Sequence, residues 1–403
     1  MSSTLESAVA DASSRQRALY DRLDAFDPSL LSASLRSAAL DYFFARPSGR
    51  ERPGRFWRID FESLVPDAAA IAPRRCGVAI ETSDAAIVAC DLATAAREHP
   101  NLLARAFGRT AAHETKFGAL ARAFASDGAF VYVPADHACD EPVTIAYEAP
   151  AGAAVFPWSV VLAERGARVT VVERLAAGAD AFVCGGLEII GDEHADVTYA
   201  VIQRAAETAS TIATRAARPG RDARVTLAVA ELGGALAASD LHVSFDAPGA
   251  YAAIIALFFP GGSQHVDVVS TVDHRAGDAA SETLVKSAAL ERGQARFVGN
   301  IRIAPHAQGS DARLRDDALL LSPTAHIDSV PALEIGANDV KAYHGATVGA
   351  IDADQVFYME SRGIARTDAE RMIALGFFEP AIERFPSASL RDDLRAAVAA
   401  KLA

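Results

Sequence analysis

Three six-residue stretches begin at residues 166, 194 and 222, a spacing of 28: Gly166-Ala167-Arg168-Val169-Thr170-Val171, His194-Ala195-Asp196-Val197-Thr198-Tyr199 and Asp222-Ala223-Arg224-Val225-Thr226-Leu227. In each, apolar and polar residues alternate with the strand period of two. Strand-like runs at 182–190, 210–214 and 241–245 fall between them, so each repeat reads strand, turn, return strand, turn. One such unit cannot bury its apolar face alone, but units stacked on one another can. The period therefore predicts a mostly β fold: a right-handed parallel β-helix, a solenoid of stacked strands. The pattern loosens after residue 250 but continues at 265–272, 297–303, 318–321 and 333–335.

The flanks follow the helical period instead. Residues 5–45 read as helical from Leu19, Leu23, Leu31, Leu35, Leu40 and Phe43, and Pro47-Ser48-Gly49 and Pro53-Gly54 break the pattern. Residues 83–126 read as helical again, followed by an Asp127-Gly128 turn and a strand at 129–133. Near the C-terminus, Thr367-Asp368-Ala369-Glu370 has the form of a capping box. Met372, Ile373, Leu375, Phe377, Phe378, Ile382 and Phe385 follow, and 387–403 predicts one more short helix. The expected division is 1–149 helical and mixed, 150–350 β-helix core, and 351–403 helical.

Net charge is −13, which opposes a nucleic-acid backbone or an anionic membrane surface as partner. The most apolar run, 250–259, falls far short of the roughly 20 residues a spanning helix needs. The N-terminus has no basic start and no apolar core, so no secretory signal is read there. Cys76, Cys90, Cys139 and Cys184 form no C-x-x-C pair, and none follows Cys184. Free thiols in a reducing cytosol fit this spacing, and a cytoplasmic location is expected. No P-loop, G-x-G-x-x-G, H-E-x-x-H or G-x-S-x-G occurs, so the chain is expected to be non-catalytic and not to bind ATP. Asp311, Arg313, Arg315, Asp316 and Asp317 form a dense cluster of mixed sign, read as a solvated turn rather than the calcium site of a β-helix carbohydrate enzyme.

The segment 338–378 carries Asp339-Val340-Lys341, His344-Gly345-Ala346-Thr347, Gly349, Phe357-Tyr358, Ser361-Arg362-Gly363-Ile364 and Gly376-Phe377. Phe297-Val298-Gly299, Ala307-Gln308, Leu319-Leu320-Leu321-Ser322 and Leu333-Glu334-Ile335 precede it, and Lys116-Phe117 through Gly128 to Pro134 lies upstream. As an ordered set these resemble the SufB/SufD family of iron–sulfur cluster assembly proteins, over roughly residues 50–390. The resemblance implies a β-helix core that pairs SufB with SufD and a C-terminal helical region that docks an ABC-type ATPase, SufC. It also implies an iron–sulfur cluster held transiently, shared with the SufB partner and not kept by this chain alone.

Where SufB-like chains carry cysteines, Met359 and Phe378 stand here; the His344-Gly345-Ala346-Thr347 form is closer to SufD. Many SufD-like chains have a cysteine two residues before the His, where this chain has Ala342. His344 is then the one metal-capable group of the signature, as a ligand or a proton carrier at the SufB interface; read alone, it is a structural His in a strand-end turn. Arg362 and Gly363 read as a helix stop, with Met372, Ile373 and Phe377 on the docking element after it. The alternatives are a self-sufficient homodimeric scaffold, a structural solenoid with no metal role and a β-helix carbohydrate enzyme. These residues leave flavin binding undecided.

Overall fold

The alternation seen in the three repeats generates two facing sheets, and successive strands fall in turn on one and then the other. In the computed structural model, residues 14–46, 56, 59, 64–73 and 75–402 are described. The Pro47 and Pro53 breaks and the first part of the helix expected at 5–45 lie outside them. The first sheet stacks nine strands, from Gly77–Glu81 through Arg168–Ala177, Asp196–Ala205 and Arg224–Glu231 to Lys341–Ala350. The second stacks ten, from Val88–Asp91 through Phe182–Gly191 and Ser210–Pro219 to His326–Ile335. From Val143–Ala149 and Trp158–Ala163 onward the pairing is parallel, as a solenoid requires.

The repeats lie in register: Val169 pairs with Val197, and Val197 with Val225. Their first residues form a column of left-handed turns, with Gly166 at φ 68°, His194 at 59° and Asp222 at 55°. Each N–H donates to a carbonyl of the next turn, Gly166 to Glu193 and His194 to Arg221, both at 2.9 Å. The column continues through Gly249, Asp278 and Gly309, whose φ values are also positive. Small, Gly or Asx-type residues suit this conformation, so the turn chemistry sets the register.

Inward side chains such as Val169, Val197 and Val225 make one long apolar core. Several polar groups inside it satisfy one another. Tyr199 Oη (2.5 Å) and Ser159 Oγ (3.1 Å) both donate to Glu173, and Arg215 pairs with Glu231 at 3.0 Å. Two helical layers cover the outer faces. The N-terminal helices, including Ala33–Ala45 and Lys116–Phe124, pack on the second sheet through Leu40, Phe43, Leu120 and Phe124 against Phe182, Ile212 and Val269. The C-terminal helices Arg366–Ile382 and Ala388–Lys401 pack on the first sheet through Phe378, Ile382, Leu394 and Val398 against Ile202, Ile255 and Leu257.

Several local expectations are corrected. Residues 88–91 are a strand pairing with Ala129–Val133, and helix begins only at Leu92. Residues 14–45 are interrupted at 26–32, and Leu35 is 49% exposed. The capping box does not form. The helix starts at Arg366 with Ala365 as an N-cap that gives no side-chain bond, and Glu370 is held by Arg366 at 2.9 Å instead. Asp311–Asp317 is no solvated turn: it lies inside strand Asp311–Leu320, with Asp316 and Asp317 buried.

Candidate functional site

The last turn of the solenoid consists of strands His326–Ile335 and Lys341–Ala350, which are the terminal strands of their sheets. Parallel stacking places Ala342, His344, Ala346 and Val348 directly over Ala312, Leu314, Asp316 and Ala318. The lower four are at most 4% exposed, so this column is the inner face of the solenoid. One turn later, His344, Ala346 and Val348 are exposed. Across from them, Ser329, Pro331 and Leu333 continue the inner face of the second sheet and are only half-buried. The core is therefore cut open at this end, and two ten-residue strands offer free edges to a partner.

The apolar surface concentrates here too. Seven of the eight large hydrophobics that remain exposed among the described residues lie beyond residue 329. Val330, Ile335, Tyr343 and Val348 belong to the open turn; Phe357, Tyr358 and Met372 belong to the helices beside it. Large exposed apolar side chains gathered in one region are a feature of interaction surfaces.

His344 is the fourth residue of strand Lys341–Ala350, not a strand-end turn residue, and it shares the open inner face with Ala342. Behind Ala346 lies Asp316, 1% exposed. Its Oδ2 accepts from the Ser329 hydroxyl, while Oδ1 has no partner among the described residues. Burial pushes the Asp316 carboxyl up to about 6, aided by Asp317 and opposed by Ser329 and Lys286. On the outer face, Asp317 accepts from Lys286 and from Thr347, each at 2.8 Å, tying the last strand to the turns before it.

The predicted docking residues separate into two groups. Helix Ala353–Ser361 ends at Arg362, and Gly363 adopts φ 83° with its N–H donating to Glu360 O at 2.9 Å, the helix stop expected there. Arg362 lies over the Tyr358 ring at 5.3 Å and is exposed with it. Met372 is 53% exposed and Ile373 half-buried. Phe377 instead turns toward the first sheet, with Lys286 Nζ 4.4 Å from its ring centroid. Arg384 holds Glu282 through two bonds of 3.1 and 2.8 Å, and Arg174 holds Asp393 at 2.7 Å. The tail of this layer is thus anchored on the sheet, while the elbow at 357–372 stays uncovered.

No three His, Cys, Asp or Glu side chains converge to hold a metal ion among the described residues. The cysteines are free, and burial pushes Cys90 up to about 11 and Cys76 up to about 12, and also raises Cys139 and Cys184. None is a ready thiolate. No helix among the described residues is long and apolar enough to cross a membrane. The sequence reading missed Ser329, Val330, Asp316 and Val348 as site residues. Continuing the inward–outward alternation of the earlier repeats through residue 350 is the signal that finds them.

The SUF system FeS cluster assembly, SufBD core domain family matches residues 145–377, and the SufBD protein N-terminal region matches residues 79–145. Iron-sulfur cluster assembly protein SufD of Bacillus subtilis is 28% identical over 338 residues, covering 82% of this chain and 77% of that protein. An iron-sulfur cluster assembly SufBD family protein of Mycobacterium tuberculosis is 31% identical, covering 69% of this chain and 72% of its own length. SufD of Escherichia coli is 34% identical over 171 residues, covering 42% of this chain and 40% of its own. The solenoid with its two helical layers and these matches together show that the chain belongs to the SufBD family of iron–sulfur cluster assembly proteins, and that within it the chain is SufD-like.

Proposed function

We propose that this chain is the SufD-like scaffold subunit of a cytoplasmic SufB–SufC–SufD assembly, pairing with a SufB-like subunit through its open end. The uncapped last turn carries this reading. A SufB-like solenoid that ends the same way would cover the inner faces and pair the free edges in one step. His344 then lies inside the joined solenoids. Iron–sulfur clusters prefer thiolates, and this chain has no cysteine beyond Cys184, so the thiolates come from the partner and His344 contributes an imidazole or carries a proton. The cluster is the cargo, shared and transient.

In this reading the exposed elbow, with Phe357, Tyr358, Arg362, Gly363 and Met372, docks the ATPase SufC. Ile373 and Phe377 support it from behind. The chain has no P-loop, so ATP hydrolysis belongs to SufC and the scaffold itself is non-catalytic. The test is co-purification of the full chain with SufB-like and SufC subunits of its own organism. His344→Ala is expected to leave the complex and its ATPase activity intact while cluster loading, read by visible absorbance, falls sharply. Normal loading in that variant reduces His344 to a structural residue. A stable cluster on the isolated wild-type chain refutes the divided site and favours the homodimeric scaffold.

A further inference from the structure

We propose that the buried Lys286–Asp317 pair couples the seating of helix Arg366–Ile382 to the order of the open last strand, Lys341–Ala350, so that binding at the elbow and binding at the open end shift one another. The inference deepens the proposed function, in which both places are partner surfaces, but the coupling itself is a property of this chain alone.

One column of the first sheet carries it. Parallel register stacks Ile202, Ala230, Leu257, Lys286, Asp317 and Thr347 on consecutive strands of the outer face. The first three belong to the apolar layer under the C-terminal helices. The column turns polar at Lys286 without leaving cover: Lys286 is 7% exposed and Asp317 6%. A buried ion pair carries a desolvation cost that leucine or valine at these positions would not. The pair makes contacts in two directions that an apolar pair cannot make. Toward the helix, Lys286 Nζ lies 4.4 Å from the centroid of the Phe377 ring. Toward the open end, Nζ donates to Asp317 Oδ2 at 2.8 Å, and Asp317 Oδ1 accepts from Thr347 Oγ1 at 2.8 Å. Phe378, next to Phe377, is fully buried and meets Phe259 with ring centroids 5.5 Å apart. Phe377 therefore covers Lys286 only while the helix is seated on the sheet.

A second cation gives Asp317 an alternative. Arg315 Nε also reaches Asp317 Oδ2 at 2.8 Å, from a side chain that is 65% exposed. With Phe377 in place, Lys286 and Asp317 attract one another in a dry setting. With the helix lifted, water enters, that attraction weakens, and Asp317 keeps Arg315. Thr347 then loses its fixed acceptor. Thr347 stands between Ala346 and Val348, which lie on the open inner face, so its tether sets how they are presented. A ligand that favours the seated helix thus favours the ordered strand, and the reverse holds to the same extent.

The test is hydrogen exchange of the isolated full-length chain, read at the amides of Lys341–Ala350 that bond back to strand Asp311–Leu320. Phe377→Ala is expected to speed their exchange at least about threefold, while the bonded amides of the other terminal strand, His326–Ile335, stay unchanged. Lys286→Met, which keeps the apolar stem and removes the charge, is expected to raise exchange to the same level. Adding Phe377→Ala to Lys286→Met is expected to change nothing more, because both act through one contact. Phe377→Leu, a milder truncation, gives the same comparison with a smaller rise should Phe377→Ala fail to fold. Unchanged exchange in the Phe377 variants, no rise in Lys286→Met, a full further rise when the two are combined, or equal loosening of His326–Ile335 overturns the coupling. No partner enters the measurement, so its failure leaves the proposed function standing, and failed co-purification leaves the coupling standing.

Discussion

The two ends of the solenoid solve the same problem differently. At the N-terminal end the sheets finish in two short strands, Gly77–Glu81 and Val88–Asp91, which turn antiparallel to their neighbours. Val78, Ile80 and Ala89 pack against the core there, with Cys76 and Ile87 buried beside them. At the C-terminal end the sheets finish in two ten-residue parallel strands whose inner faces stand open. A long unprotected edge is an invitation to pair, and folded proteins normally blunt it with short strands or a change of direction. The chain applies that remedy at one end only. On the proposed reading, the sealed end serves stability and the open one association.

The largest expected effect comes from one charge placed at each end. Val131 is 0% exposed under the seal, and Val348 is 44% exposed on the open face. Val131→Asp buries an unpaired carboxylate and is expected to cost several kcal/mol, leaving little folded protein. Val348→Asp is expected to change stability by less than about 1 kcal/mol while abolishing pairing with a SufB-like subunit. Urea unfolding and pull-down measure the two, and interchanged outcomes break the comparison.

Glu188→Ala orphans the donors of Gly108, Arg109, Thr110 and Trp158 at once. A loss of about 3–5 kcal/mol is expected from the urea midpoint, with the contacts between the N-terminal helices and the second sheet loosened first. A loss below about 1 kcal/mol contradicts the role given to this carboxylate.

Asp316 sharpens the comparison by pH. Its folded value of about 6 lies above the ordinary 3.8, so the folded chain holds a proton that the unfolded chain releases. Stability on this account falls as pH rises through the window between those values, and the full cost, about 3 kcal/mol, is present above pH 6. Asp316→Asn removes the cost. The variant is expected to gain on the wild type between pH 4 and pH 7, and a pH-independent difference in urea midpoint contradicts it.

The smallest effect concerns the elbow. Ala365 leaves the N-terminus of helix Arg366–Ile382 without a side-chain cap, so Ala365→Asp is expected to stabilise by about 1 kcal/mol in thermal unfolding. No change in midpoint means the cap is supplied otherwise.

The solenoid was legible in the repeats because the turn column recurs with constant length from Gly166 to Asp222. The period loosened after residue 250 because the turns change length: strands of the first sheet begin at 224, 251, 280, 311 and 341. The 311–317 cluster misled because its partners are remote. Asp316 meets Ser329 from the opposite sheet, and Asp317 meets Lys286 and Thr347 from the neighbouring turns, about 30 residues away in each direction. Locally such a run reads as solvated charge. His344 stood out in its motif as an expectation, but its place on the inner face of an open turn follows only from stacking on Leu314. The elbow was half legible: the Gly363 stop is a local property, whereas Phe377 turns inward onto a sheet remote in sequence, where Lys286 lies near its ring.

The most direct test of the open end is backbone hydrogen exchange of the full chain, alone and in complex with a SufB-like subunit. The edge amides of Lys341–Ala350 and His326–Ile335 are expected to exchange rapidly in the isolated chain and to become strongly protected in the complex, while Gly77–Glu81 at the sealed end stays unchanged. A complex that forms without protecting the two terminal strands, or that protects the sealed end instead, contradicts the account.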